Sequence, residues 1–227
     1  GRAPGADARV LRALRRDYHR EAEEFPRNVV ELRAHFTGEP DLGVIAVPGR
    51  GAQVELWMLG SSLFGAQLAA ALGLPYAFAS HFAPDLLDEA LMVYRRDFRP
   101  SPHLREPYAA AAFNAIAGET REEGRFLASS MEQNFVALRT GNPGKLPIPV
   151  MGYRDSLDPP IRAMLGQVLR CSAFGSAEDV AEGLDAFIKR TQVDEIIVHG
   201  AVFDPDARLR SMALVAQAFA SIETIAR

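Results

Sequence analysis

Cysteine is almost missing. Cys171 is the only one in 227 residues, which excludes an internal disulfide and any multi-cysteine metal site. A lone thiol also fits a reducing compartment, so a cytoplasmic protein is expected. Long apolar runs are missing too. The longest, residues 68–79, is interrupted by Gly73 and Pro75, well short of the roughly 20 apolar residues that a membrane-spanning helix needs. Nor does one sign of charge dominate: a net charge of −4 leaves no broad basic field to draw nucleic acid. The first twenty residues depart from this, with Arg2, Arg9, Arg12, Arg15, Arg16 and Arg20 against Asp7 and Asp17. That stretch lacks serine and runs straight into an acidic, helix-forming segment at 21–24. It therefore reads as a solvated helix face rather than a transit peptide.

Several catalytic signatures are absent as well. There is no Rossmann glycine fingerprint and no Walker lysine loop. No glycine-x-serine-x-glycine elbow surrounds Gly60, and no histidine pair has metal-ligand spacing with a carboxylate. Chemistry centred on a metal or an activated nucleophile is thus poorly supported. What is present is ordinary globular material, 48% apolar and 24% charged, with enough of a core to exclude disorder for the bulk of the chain. The length permits one large α/β domain or two small ones.

Helical periodicity recurs. Phe25, Val29, Leu32 and Phe36 share a stripe, as do Leu87, Ala90, Leu91, Tyr94 and Phe98, and again Leu127, Met131, Phe135 and Leu138. Ser176 with Asp179 forms a capping box ahead of Val180, Leu184, Phe187 and Ile188. Asp204-Pro205 opens a last helix carrying Leu209, Met212, Ala216 and Phe219. Between the helices, apolar runs at 54–59, 76–80, 108–116 and 195–199 predict strands. They lack strict alternation, so burial on both faces is expected, in a parallel sheet. Residues 43–47 predict a small β excursion. Two long irregular segments, 37–53 and the Pro/Gly-rich 140–160, read equally as surface connections or binding loops.

In parallel α/β proteins, ligands meet the carboxyl ends of the strands. Gly60-Ser61-Ser62 lies where a strand run ends and a helix begins near Leu63. Gly60 admits a close approach to the backbone, the two serines supply hydroxyls, and the helix start supplies N–H groups, a set suited to phosphate. The same serines could equally be a plain helix cap. Arg2, between Gly1 and Gly5, could grip a phosphate in bidentate fashion or be a surface arginine. His81, after Ala79 and Ser80, and His199, at the end of the last strand run, could each handle a proton or be structural.

The run LWMLGSSLFGAQLAAALGLPYAFASHFAP, from Leu56 to Pro84, resembles the bacterial luciferase-like flavin-dependent monooxygenases, in particular their single-component subgroup of unknown substrate. GRAPGAD at the start resembles the end of that family's fourth barrel strand. EEFPRNVVELRAHF resembles the following helix, and VDEIIVHGAVFDPDARLRS the last strand and helix. The resemblance implies a (β/α)₈ TIM barrel, of which residues 1–227 would form a single incomplete domain running from the end of strand 4 to helix 8, with a proline-rich loop at 140–160 as a candidate cover. It implies reduced FMN, or a deazaflavin, and dioxygen acting on a small organic substrate. It also implies a flavin reductase as supplier and a homodimer when complete. By position it places Arg2, Gly60, Ser61 and Ser62 on the flavin phosphate, Ala79 and Ser80 beside the flavin, and His81 as the candidate catalytic group. The family's first three βα units, with a glutamate-histidine-histidine segment, have no counterpart in this sequence. Such a partial barrel is expected to leave apolar strand faces and edges uncovered. Two other readings stay open: a non-catalytic flavin-binding or degenerate barrel, and a small open α/β protein that binds a phosphorylated ligand at Gly60 to Ser62.

Overall fold

The 20-residue amphipathic pattern that begins the described chain folds as α1 (Tyr18–Thr37), with Pro26 accommodated inside it. The computed structural model describes residues 18–39 and 42–222. Beyond α1, strands and helices alternate: β1 (Met58–Gly60), α2 (Leu63–Leu72), β2 (Tyr76–Phe78), α3 (Leu87–Asp97), β3 (Ala109–Ala117) and α4 (Arg121–Arg139). Then come the short α5 (Tyr153–Ser156), α6 (Pro159–Val168), β4 (Ser172–Gly175), α7 (Ala177–Thr191), β5 (Glu195–His199) and α8 (Pro205–Ser221). No helix among the described residues is long and apolar enough to cross a membrane.

All strand pairings are parallel, and β3 is their hub. β2 pairs with Ala109–Ala111, β5 with Ala110–Asn114, and β4 with Asn114–Ala117. The registers of β2 and β4 do not overlap, whereas β5 overlaps both. β2 and β4 therefore succeed one another along one edge of β3, with β5 on the other. β1 extends the sheet beyond β2. This is the carboxyl-terminal portion of a (β/α)₈ barrel.

Alternate residues of a strand point to opposite faces. Ala109, Ala111, Phe113, Ala115 and Ala117 belong to the main core, with Leu87, Leu91 and Tyr94 of α3 and Val180, Leu184 and Phe187 of α7. The Phe113 and Phe187 rings meet at 4.9 Å. The alanine run is what lets helices approach so closely. Small residues do the same on α2, where Gly65, Ala66, Ala69 and Ala70 are buried. The other face of β3 carries Ala110, Ala112, Asn114 and Ile116. Ile116 joins a second cluster with Leu127, Met131 and Phe135 of α4 and Leu165 of α6. α2 ends at Gly73, whose φ of +58° places it in the left-handed region, the geometry that favours glycine at a helix end.

Four expectations need correction. Strands buried on both faces hold for β2 and β3 but not for β5, which is mostly exposed, nor for Leu59 of β1, 51% exposed. Among the described residues each of these strands pairs with a single neighbour. The β excursion at 43–47 is irregular chain followed by a turn, in which the Gly51 N–H donates to the Phe36 carbonyl at 2.7 Å. The first strand is shorter than the 54–59 run and shifted to Met58–Gly60. Finally, segment 140–160 is not structureless throughout: α5 lies inside it and α6 starts at its end, with prolines in its first turn, where a missing N–H costs nothing.

Candidate functional site

Gly60 ends β1, and its carbonyl accepts from the Ala79 N–H at 2.9 Å. The segments leaving β1 and β2 are thereby tied together at the carboxyl end of the sheet. Ser61 is half-buried and Ser62 is the N-cap of α2, in extended conformation, yet its hydroxyl makes no capping bond. A serine cap normally satisfies one of the first-turn N–H groups; here the hydroxyl is left for another acceptor or donor. A Cβ built on Gly60 meets no atom within 4 Å, so the space beside that backbone is open. An uncommitted hydroxyl, a helix start and an open glycine together fit a phosphate.

Along the segment after β2 the residues divide their roles. Ser80 is fully buried, and its hydroxyl donates to the Ala112 carbonyl at 2.5 Å, so it stitches this segment to β3. Ala79 contributes its N–H to Gly60. His81 is half-buried. Its carbonyl accepts from the Asn114 amide nitrogen at 2.8 Å, and its Nδ1 is buried without a hydrogen-bond partner. His199, at the end of β5, lies with its ring centroid 5.4 Å from that of His81, tilted by 48°. Its Nδ1 is 3.0 Å from Asn114 Oδ1. Burial holds the His81 imidazole below its ordinary titration range, and the neighbouring His199 lowers it further. Burial alone lowers His199. Neutral rings beside an open site can take up a proton.

The opposite end of the sheet is built for stability. Trp57 and Tyr108 meet edge to face at 5.7 Å, and the Tyr108 hydroxyl donates to Glu195 Oε1 at 2.8 Å. A cavity of about 540 Å³ between α4, α5 and β4 contains none of the expected site residues. It surrounds the buried Glu132, whose carboxyl burial pushes up, with Arg154 at 3.6 Å.

The comparisons fit this geometry. No family model matches the chain. It is 46% identical over 215 residues to a luciferase-like monooxygenase of Escherichia coli strain K12, covering 94% of this chain and 64% of that protein. The chain is similar to luciferase-like monooxygenases along nearly its whole length. Among solved structures, apo-MsnO8 superposes on it with a TM-score of 0.79 at 25% identity, covering 96% of this chain and 66% of that one. The oxygenating constituent of 3,6-diketocamphane monooxygenase from the CAM plasmid of Pseudomonas putida, in complex with FMN, shares the fold with a TM-score of 0.55 at 18% identity, over 79% of this chain and 52% of that one. The chain thus spans about two-thirds of the length of the curated luciferase-like relative.

Of the sequence-based candidates, the structure brings Gly60, Ser61, Ser62, Ala79, Ser80 and His81 to adjacent strand ends. Arg2 lies outside the described residues. Asn114 escaped sequence reasoning. An asparagine in the otherwise apolar run AAAAFNAIA, fully buried, is the signal that marks it, because a buried amide must find partners.

Proposed function

We propose that this luciferase-like chain carries the flavin-phosphate site and the proton-handling groups of a flavin-dependent monooxygenase acting on a small organic substrate. The observation that supports this best is the Ser62 hydroxyl left without a capping bond at the start of α2, beside the open backbone of Gly60. Ser61 and Ser62 would hold the phosphate of FMN, and the N–H groups at the helix start would add their partial positive charge. Arg2 completes that grip in this reading. Bound reduced FMN would supply the activation of dioxygen. Ala79 and the backbone of Ser80 would line the ring, with the Ser80 hydroxyl turned to β3 instead. His81 would hold or release a proton at its unpartnered Nδ1. Leu59, Ala77, Ala112 and Ile197, on the face away from the main core, would exclude water from the reacting centre.

The same phosphate grip would serve a deazaflavin. A reductase that delivers reduced flavin, a homodimeric assembly and a cytoplasmic location belong to the same proposal. The test is a fluorescence titration with FMN and, in parallel, with a deazaflavin cofactor. Replacing Ser61 and Ser62 together by alanine should weaken binding at least tenfold, the scale of about two lost hydrogen bonds to a charged group. Affinity equal to that of the unmodified protein would remove the phosphate assignment.

A further inference from the structure

We infer that Asn114 is a positioning residue that holds His199 in its Nδ1–H form and so makes His199 Nε2 the basic atom of a histidine pair formed with His81. The argument starts from a carbonyl. The His81 backbone oxygen can only accept a hydrogen bond, and it lies 2.8 Å from the Asn114 amide. The amide must therefore turn its NH₂ to His81, which leaves Oδ1 for His199 at 3.0 Å. An amide oxygen can only accept. The proton between the two side chains must then sit on His199 Nδ1, and the neutral ring keeps its lone pair on Nε2. The opposite amide orientation would set two oxygens against each other and leave the buried amide with a lost bond.

Asn114 is fixed for this task. It is fully buried on β3, and its N–H donates to the Cys171 carbonyl at 3.0 Å, so β4 clamps the strand at that residue. The parallel register sets Asn114 directly beside His199. His199 Nε2 takes a proton from an O–H or N–H group of the ligand. The ring becomes an imidazolium with its Nδ1–H still donated to Asn114. The reverse transfer restores the neutral ring and reprotonates the ligand. His81, 5.4 Å away between centroids, cannot readily be charged at the same time, since each positive ring disfavours the other. The pair therefore takes up one proton at a time rather than two. The groups around it are the neutral Asn114 from β3 and Arg139 from α4, which donates to the Phe82 carbonyl at 3.3 Å. No carboxylate among the described residues contributes to either ring's shift.

The role of His199 as a base rests on the flavin reading above, but the tautomer does not, and the experiment keeps the two apart. Nitrogen-15 NMR of histidine-labelled protein, without flavin, reads which ring nitrogen carries the proton. His199 is assigned by its loss in His199→Gln. At pH 8 the unmodified protein should show His199 with Nδ1 protonated and Nε2 bare. Asn114→Asp retains the acceptor and adds a negative charge, so the Nδ1–H form should persist and the His199 midpoint should rise by at least about one pH unit, the usual effect of an adjacent opposite charge. Asn114→Leu should release the tautomer; if that variant does not fold, the first two measurements still decide. A proton on Nε2 in the unmodified protein, or a midpoint unmoved in Asn114→Asp, overturns the inference. A failed FMN titration alongside the expected tautomer would instead remove the flavin reading and leave this one standing.

Discussion

Asp179 serves three donors with two oxygens. One oxygen accepts the Ser176 N–H at 2.9 Å, closing the capping box of α7. The same carboxylate takes Arg121 in a two-pronged contact, with Nε at 2.9 Å and a second bond through NH2. The Arg121 guanidinium is the main reason that the carboxyl titrates below the ordinary aspartate range, and the Ser176 N–H adds to it. A carboxyl whose pKa is lower in the folded state contributes stability that is complete above the unfolded value and lost as pH falls through the folded one. Thermal stability should therefore decline on acidification below the ordinary aspartate pKa. Arg121→Ala should flatten part of that decline while changing stability little near neutral pH, since the arginine is exposed and its ion pair is screened. Melting curves at a series of pH values check this, and an acid limb identical in both proteins would contradict it. The Ser176-x-x-Asp179 half of the arrangement is legible in the sequence because its spacing is local. The Arg121 half joins residues 58 apart and is not.

α4 shows what an element owes to one missing methyl. Its residue Gly124 lies against the end of β4, where an added Cβ would stand 2.0 Å from the Gly175 carbonyl oxygen. That carbonyl also accepts the Gly118 N–H at 2.9 Å, so it cannot turn aside. Alanine in a helix interior is worth about 1 kcal/mol over glycine. Overpacking against fixed backbone costs about 1–3 kcal/mol, and here the obstacle is the backbone itself, so the clash wins. Gly124→Ala should lower the melting temperature by several degrees, at roughly 2–4 °C per kcal/mol for a chain of this size. A rise instead would mean that α4 can slide off β4. The stripe Leu127, Met131, Phe135 announced α4 and the capping box announced α7. β4 itself left no pattern, because four residues, Ser172 to Gly175, are too few to show either period. The mouth residues were legible for a similar reason: glycine, serine and histidine at a strand end stand out, whereas Asn114 acts from the middle of a strand and shows only as a polar residue in an apolar run.

At the scale of the molecule, the apolar surface is unevenly covered. β2 and β3 have neighbours on both edges and helices against them. β5 has one paired edge, with Ile197 50% exposed and Val198 40%, and Leu209, Met212 and Phe219 of α8 are exposed as well. Between β5 and α8 an apolar groove of about 340 Å³ runs past Ile196, Val198, Met212 and Phe219. Among the described residues β5 pairs with β3 only, so its outer edge presents a row of N–H and C=O groups beside apolar side chains. A sheet edge of that kind is a template for another strand, and charges or a covering element are the usual protection. Glu195 and His199 stand at its two ends, with three apolar residues between them. The 227-residue chain should therefore self-associate. Sedimentation velocity over a hundredfold range of concentration is expected to show a rising average mass. Replacing Ile197 by lysine, a charge on the exposed edge strand, should return the sample toward monomer with little loss of helical signal, because that side chain is half in solvent already. A single monomeric boundary across the whole range, unchanged by the lysine, would show that the exposed strand and groove are protected by some means other than a partner surface.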